Sequence, residues 1–183
     1  IRHSTAADIT NIGDDEENSQ AIAALKDGAA DIAAVTTPTV RSASLVETVI
    51  RPIQEVAVCS SAFPALTDRP VALSELLDYP IISLGPDTKS FAFYSDFFTG
   101  HGLPFHPAIE AFTADQILPM VEADLGVGFV PNEFLESESR VCRIDLKEQI
   151  PERQVVLIKR KGQPLSVAAR KLEHMILDEK SGT

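Results

Sequence analysis

The sequence predicts an α/β fold, and three observations carry that prediction. Apolar runs of strand length alternate with segments of helical periodicity along most of the chain, the pattern of sheets and helices sharing a core. An almost continuous β-prone stretch from Val46 to Ser60, broken once at Pro52, is long enough to bridge two lobes. At 183 residues, 44% apolar and 23% charged, the chain can bury a sizeable core as one domain or two small lobes.

The elements follow in order. Asp8 to Gly13 reads as a short strand, and Asp14 to Asn18 as an acidic loop or first helical turn leading into Ala21 to Lys26, with Ile22 and Leu25 facing a core. Acidic residues suit a helix start, and Gly28 suits its left-handed end. Asp31 to Val35 is a buried strand, so this unit of strand, helix and strand favours parallel pairing. After the long stretch comes a loop with Pro64 and Pro70, a short helix at Ser74 to Leu77 and a strand at Ile81 to Leu84. A polar turn, Gly85 to Ser90, precedes an aromatic run whose Phe93, Tyr94, Phe97 and Phe98 share one helical face and read as core, with Phe91 or Tyr94 as a lesser candidate for lining a cleft. Ala108 to Phe112 is a strand. Asp115 to Ala123 is a helix starting near Thr113 to Gln116, because Pro119 fits only close to a first turn. Gly126 to Val130, Val141 to Leu146 and Gln154 to Arg160 are strands. An amphipathic helix from Ser166 to Leu177, with Ala169, Leu172, Met175, Ile176 and Leu177 apolar, leads to a polar tail at Glu179 to Thr183.

A net charge of −11 argues against this segment gripping a phosphate backbone, since that affinity depends on Lys and Arg displacing counterions. Residues 1 to 139 carry 6 basic and 21 acidic side chains, whereas residues 140 to 183 carry 10 basic and 6 acidic, so Lys159, Arg160 and Lys161 form a basic patch suited to solvent or to an acidic partner surface. Cys59 and Cys142 lack CxxC spacing, and His3, His101, His106 and His174 form no metal-ligand cluster, so neither a metal nor a cofactor is expected. Cys59 lies in an apolar strand and reads as a buried small hydrophobe. No apolar run approaches the roughly 18 residues of a membrane span, and no export pattern opens the chain, so a cytoplasmic location without membrane contact is expected.

One stretch is more informative than the rest: residues 113 to 131, TADQILPMVEADLGVGFVP, a polar turn, a helical run, and Gly126 and Gly128 around a strand ending in Pro131. Together with Leu25, Lys26, Asp27, Gly28, Ala29, Ala30, Asp31 and the apolar Ile32 to Val35, it resembles the effector-sensing domain of LysR-type transcriptional regulators. The likeness extends in order through Pro64, Pro80 to Leu84 and the closing helix. It implies two Rossmann-like α/β lobes joined by two crossing strands, similar to a type 2 periplasmic binding protein. Lobe I would comprise residues 1–53 and 153–183, lobe II residues 54–152, with crossings near Val49 to Val56 and Ile150 to Val156. The family's helix-turn-helix, linker helix, first strand and most of the first helix would lie outside this sequence. DNA would then be reached only through that helix-turn-helix.

The resemblance further implies a sensor of a small-molecule effector, a carboxylate being one class, held between the lobes, and a homodimer or homotetramer whose geometry shifts on binding. The helix Ala21 to Lys26 and a second-lobe helix are the expected subunit contact. Ligands of such sheets bind beyond the carboxyl ends of strands, at loops and helix starts. This nominates Asn18, Thr36 and Thr37 in lobe I, and Ser83, Gly85, Thr88, Ser90 and Thr113 in lobe II. Each also fits a capping or turn role. Lys89 is the only Lys or Arg between Arg69 and Arg140, and either neutralises a carboxylate or sits exposed; Asp115 either caps its helix or repels an anion.

Two other functions share the fold: a solute-binding protein of a transporter, and an enzyme using Cys59 or the carboxylates Glu122 and Asp124. Those carboxylates stand at i and i+2 on a helix and diverge, and neither a Ser, His and Asp set nor a phosphate loop is present, so no catalytic residue is nominated.

Overall fold

The computed structural model describes residues 15–39, 42–135 and 140–181. Its helices are α1 (Asp15–Lys26), α2 (Lys89–Gly100), α3 (Ile117–Glu122) and α4 (Val167–Ser181); its strands are β1 (Ile32–Thr36), β2 (Leu45–Ile53), β3 (Glu55–Ser60), β4 (Ile82–Leu84), β5 (Ile109–Ala111), β6 (Gly128–Pro131), β7 (Val141–Ile144) and β8 (Arg153–Arg160). The strand expected at Asp8 to Gly13 lies outside the described residues. The chain divides into two compact units, Ile1–Pro52 with Gln154–Thr183, and Ile53–Arg153.

In the first unit, whose sheet has the order β1-β8-β2, β1 and β8 are covered by a helix on each face while β2 is largely exposed. Alternation decides which side chain goes where. Ala33, Val35, Leu45, Val156 and Ile158 meet Ile22 and Leu25 of α1, while Ile32 and Leu157 meet Ala169 of α4. Helix α1 ends where Gly28 takes φ +76°, and Arg160 then donates to the Leu25 and Ala30 carbonyl oxygens, the latter at 2.9 Å, with Asp31 3.6 Å from its guanidinium. The turn from Lys26 to Asp31 is thus closed by a cation at the negative end of a helix.

β1 pairs with β8 in antiparallel register, Ile32 opposite Lys159 and Thr36 opposite Val155, two strands brought together from distant parts of the chain. The parallel pairing expected between Asp8 to Gly13 and Asp31 to Val35 lies outside the described residues. Two expectations need correction. Pro52 does not break the long stretch. It lies exposed within β2, an edge of the described sheet where a missing N–H costs no ladder bond, and the break falls at Gln54. Helix α4 runs on to Ser181, into the stretch expected as a polar tail, and Met175, expected on its apolar face, is 57% exposed.

In the second unit the wholly buried β3 stands between β6 and β7, antiparallel to both. The parallel pair β4 and β5 joins this sheet through the bridge of Ile81 to Val127. One face packs Ala57, Cys59, Val127, Phe129 and Ile144 against Tyr94, Phe97 and Phe98 of α2, which confirms the aromatic stripe as core. Tyr94 stacks on Phe129 at 4.7 Å. The other face packs Val56, Val58, Ile82, Leu84 and Val130 against Ile117 and Val121 of α3. Pro119 is the third residue of α3, after a 3-10 turn at Ala114–Gln116.

Gly126 and Gly128 have a packing reason. A Cβ on Gly126 would lie 2.2 Å from the Pro80 carbonyl oxygen, and one on Gly128 would lie 2.6 Å from Ile117 and 3.0 Å from Val121. Backbone approach on one side and α3 on the other leave no room for a side chain.

Candidate functional site

Because β4, β5 and β6 run parallel to one another and β3 runs against β6, one rim of the second unit collects the carboxyl ends of the first three and the amino end of β3. That rim holds every nominated residue of this unit. Ser83 is on β4, buried, and its Oγ has no hydrogen-bond partner. Gly85 follows, against the Glu110 carboxylate. Thr88 is the N-cap of α2: its Oγ1 accepts the Phe91 N–H at 3.1 Å and donates to the Gly85 carbonyl at 2.7 Å. Thr113 stands past the end of β5, where Gln116 Oε1 accepts the Phe112 N–H at 3.0 Å and the Thr113 N–H at 3.4 Å. Ser90 in the first turn of α2 accepts from Arg153 Nη1 at 3.2 Å.

Arg153 and its partners are what sequence reasoning missed. Its Nη1 also meets Glu55 Oε1 at 3.1 Å, and its guanidinium lies 5.3 Å from the Phe93 ring centroid. The two charged side chains are 8% and 3% exposed, so the pair is held away from water. Burial pushes the Glu55 carboxyl above its ordinary pKa, with Arg153 and the Tyr94 hydroxyl pulling the other way; burial likewise holds the Tyr94 hydroxyl protonated. Glu55 Oε2 has no hydrogen-bond partner. One signal pointed here: a carboxylate opening a strand of purely apolar neighbours requires a buried partner, although that partner lies 98 residues away. Lys89 is exposed, so the buried cation of this rim is Arg153; Asp115 is exposed too.

Beside Glu55 opens a depression of about 260 Å³, whose walls include Ala57, Ile144, Lys147, Glu148 and Ile150. No sequence feature nominated it.

The first unit's nominees form a separate group. Asn18 Nδ2 donates to Thr36 Oγ1 at 3.0 Å, both residues buried. Thr37 Oγ1 accepts the Gln154 N–H at 2.9 Å, and the Thr37 N–H donates to the Gln154 carbonyl at 2.9 Å. These bonds tie α1 to β1 and the end of β1 to β8. Glu122 and Asp124, the carboxylates weighed for acid and base chemistry, are exposed, and Asp124 accepts from Ser60 Oγ at 2.5 Å. Among the described residues no cluster of His, Cys, Asp and Glu could hold a metal, and no helix is long and apolar enough to cross a membrane.

Comparison with known proteins gives consistent findings. A family model described as the LysR substrate binding domain matches residues 15–181. A search of curated proteins by sequence returns no match. Among solved structures, the CcmR regulatory domain of Synechocystis PCC6803, in complex with 2-PG, superposes with a TM-score of 0.78 at 12% identity, over 91% of this chain and 81% of that one. The effector binding domain of QuiR in complex with shikimate gives 0.78 at 16%, over 90% and 78%. The C-terminal domain of a probable LysR family regulator from Rhodococcus sp. RHA1 gives 0.74 at 18%, over 87% and 80%. At these identities the likeness is one of fold.

Proposed function

Because this chain belongs to the LysR substrate-binding-domain family, it is the effector-sensing part of a LysR-type transcriptional regulator, and we propose that its effector is a small anion, a carboxylate above all, received at the rim of the second unit. The observation that carries this reading is the convergence there of the α2 start, the Thr88 and Ser90 hydroxyls, the unpartnered Ser83 Oγ and the Arg153 guanidinium. A helix start leaves its first amides without intrahelical acceptors and carries the positive end of the dipole. Arg153, itself paired with Glu55, holds Ser90 in place through its hydrogen bond. CcmR is solved in complex with 2-PG and QuiR in complex with shikimate, which supports a small-molecule effector.

Asn18, Thr36, Thr37, Gly85 and Thr113 are proposed as supporting positions: the first three order the loops after α1 and β1, and Gly85 and Thr113 shape the rim. The regulator works in the cytoplasm as a homodimer or homotetramer and contacts DNA through a separate helix-turn-helix. Effector contacts favour one of its conformations and thereby the subunit geometry. A thermal-shift screen tests the class directly. Carboxylates should raise Tm in a concentration-dependent way, and Thr88→Val and Ser90→Ala should weaken the shift while leaving the unliganded Tm within a few degrees. A shift produced by neutral compounds and by no acid would overturn the anion reading.

A further inference from the structure

Strands β3 and β7 set Cys59 directly opposite Cys142. These are the chain's two cysteines, and both are free thiols. Opposed residues of an antiparallel ladder have Cα atoms ~4.5–5.5 Å apart, within the ~4.4–6.8 Å a disulfide spans. Their side chains share a face, the aromatic one: Cys59 lies inside that core cluster and Cys142 packs against it. Cys59 is fully buried, whereas Cys142 is half-buried.

We propose that Cys59 and Cys142 are a peroxide-oxidisable pair that closes into a reversible cross-strand disulfide. In the first step the Cys142 sulfur attacks one peroxide oxygen and the O–O bond breaks. The other oxygen leaves as water with the thiol proton, and Cys142 becomes a sulfenic acid. In the second, the Cys59 sulfur attacks the Cys142 sulfur, the S–O bond breaks, and the hydroxyl departs with the Cys59 proton as water. Two thiols and one peroxide give one disulfide and two waters.

The two roles follow from placement. Peroxide reaches the half-buried Cys142 first, whereas burial pushes the buried Cys59 thiol up to about 11 and makes it the less reactive of the two toward peroxide. Its position directly opposite Cys142 makes it the partner within reach of the sulfenic acid. Cross-strand Cβ atoms sit ~4.5–5.5 Å apart, against ~3.5–4.5 Å in a relaxed disulfide, so closure draws the strands together and leaves a bond that is easily reduced. The consequence reaches the rim. β7 continues into residues 145–150, which wall the depression beside Glu55 and lead on to Arg153, so oxidation would tether the strand from which that part of the site hangs.

Intact-mass measurement tests this, since two cysteines leave no other internal pairing. The protein is treated with hydrogen peroxide, then alkylated with iodoacetamide in urea so that the buried thiol is reached. The expected product has lost two hydrogen atoms, takes up no alkyl group, and recovers two alkylatable thiols after dithiothreitol. Cys142→Ser should keep one alkylatable thiol through the same treatment, and its unchanged melting before oxidation shows that it folds. Two thiols still alkylated after peroxide, oxygen retained on Cys142 without hydrogen loss, or a dimer linked through Cys142 would each overturn the pair.

Discussion

At the scale of single residues, Glu55 and Arg153 carry the sharpest predictions. Replacing Arg153 by Met leaves a buried carboxylate without its cation, which costs about 3–5 kcal/mol of unfolding free energy. Urea denaturation measures it; a loss under about 1 kcal/mol would mean that water reaches Glu55 freely. The double variant Glu55→Gln with Arg153→Met should recover much of the loss, because both charges are then gone. Titration of Glu55 has a definite direction. Its pKa in the folded chain is raised by burial, so the folded state holds the proton more readily than the unfolded state. The stability that follows is fully present below the unfolded pKa and is lost as pH rises through the folded one. Glu55→Gln abolishes this dependence. The stability of the wild type minus that of the variant should therefore fall as pH is raised from about 4, and a flat difference would contradict the raised pKa.

At the scale of elements, the two glycines before Pro131 predict a graded series. Gly128→Ala drives a methyl into Ile117 and Val121 of α3, and Gly126→Ala drives one into the Pro80 carbonyl; each should cost about 1–3 kcal/mol, with Gly126 the costlier because backbone yields less than side chain. Gly100→Ala, at the end of α2 with open space around it, should be neutral or stabilising by up to about 1 kcal/mol. Equal losses at all three positions would show that backbone freedom, not packing, explains them. Thr88→Val removes the α2 cap and should cost about 1 kcal/mol, with Thr88→Ser close to wild type. Elements were legible in the sequence where periodicity is local: the stripe of Tyr94, Phe97 and Phe98, the Pro119 limit on α3 and the Gly28 turn needed only neighbours within a few residues. Pairing was not, because β1 meets β8, and Glu55 meets Arg153, across most of the chain, and no local pattern encodes who stands opposite. The nominated hydroxyls of the second unit could be placed from strand ends, and Lys89, read as either neutralising a carboxylate or sitting exposed, is exposed; the buried cation beside them, Arg153, lies at the start of β8, where no local pattern marked it.

At the scale of the whole molecule, charge sets one more expectation. With a net charge of −11, the isolated domain should leave a non-specific DNA duplex unshifted in a gel at about 50 mM salt, and a retarded band would place a nucleic-acid surface on the domain itself. The order of the strands has a further consequence, in time. Among the described strands β8 stands in the middle of the first unit's sheet, yet it is the last of them to leave the ribosome, after all of the second unit. Until it emerges, β1 and β2 lack the described strand that joins them, and the edges and apolar faces that β8 covers are open to other chains. The second unit is continuous, Ile53–Arg153, and is synthesised in full during that wait. The time taken to synthesise that unit thus sets how long the first unit stays half-made, and slower synthesis there would show itself as aggregation of nascent chains, not as a lower melting temperature of the finished protein.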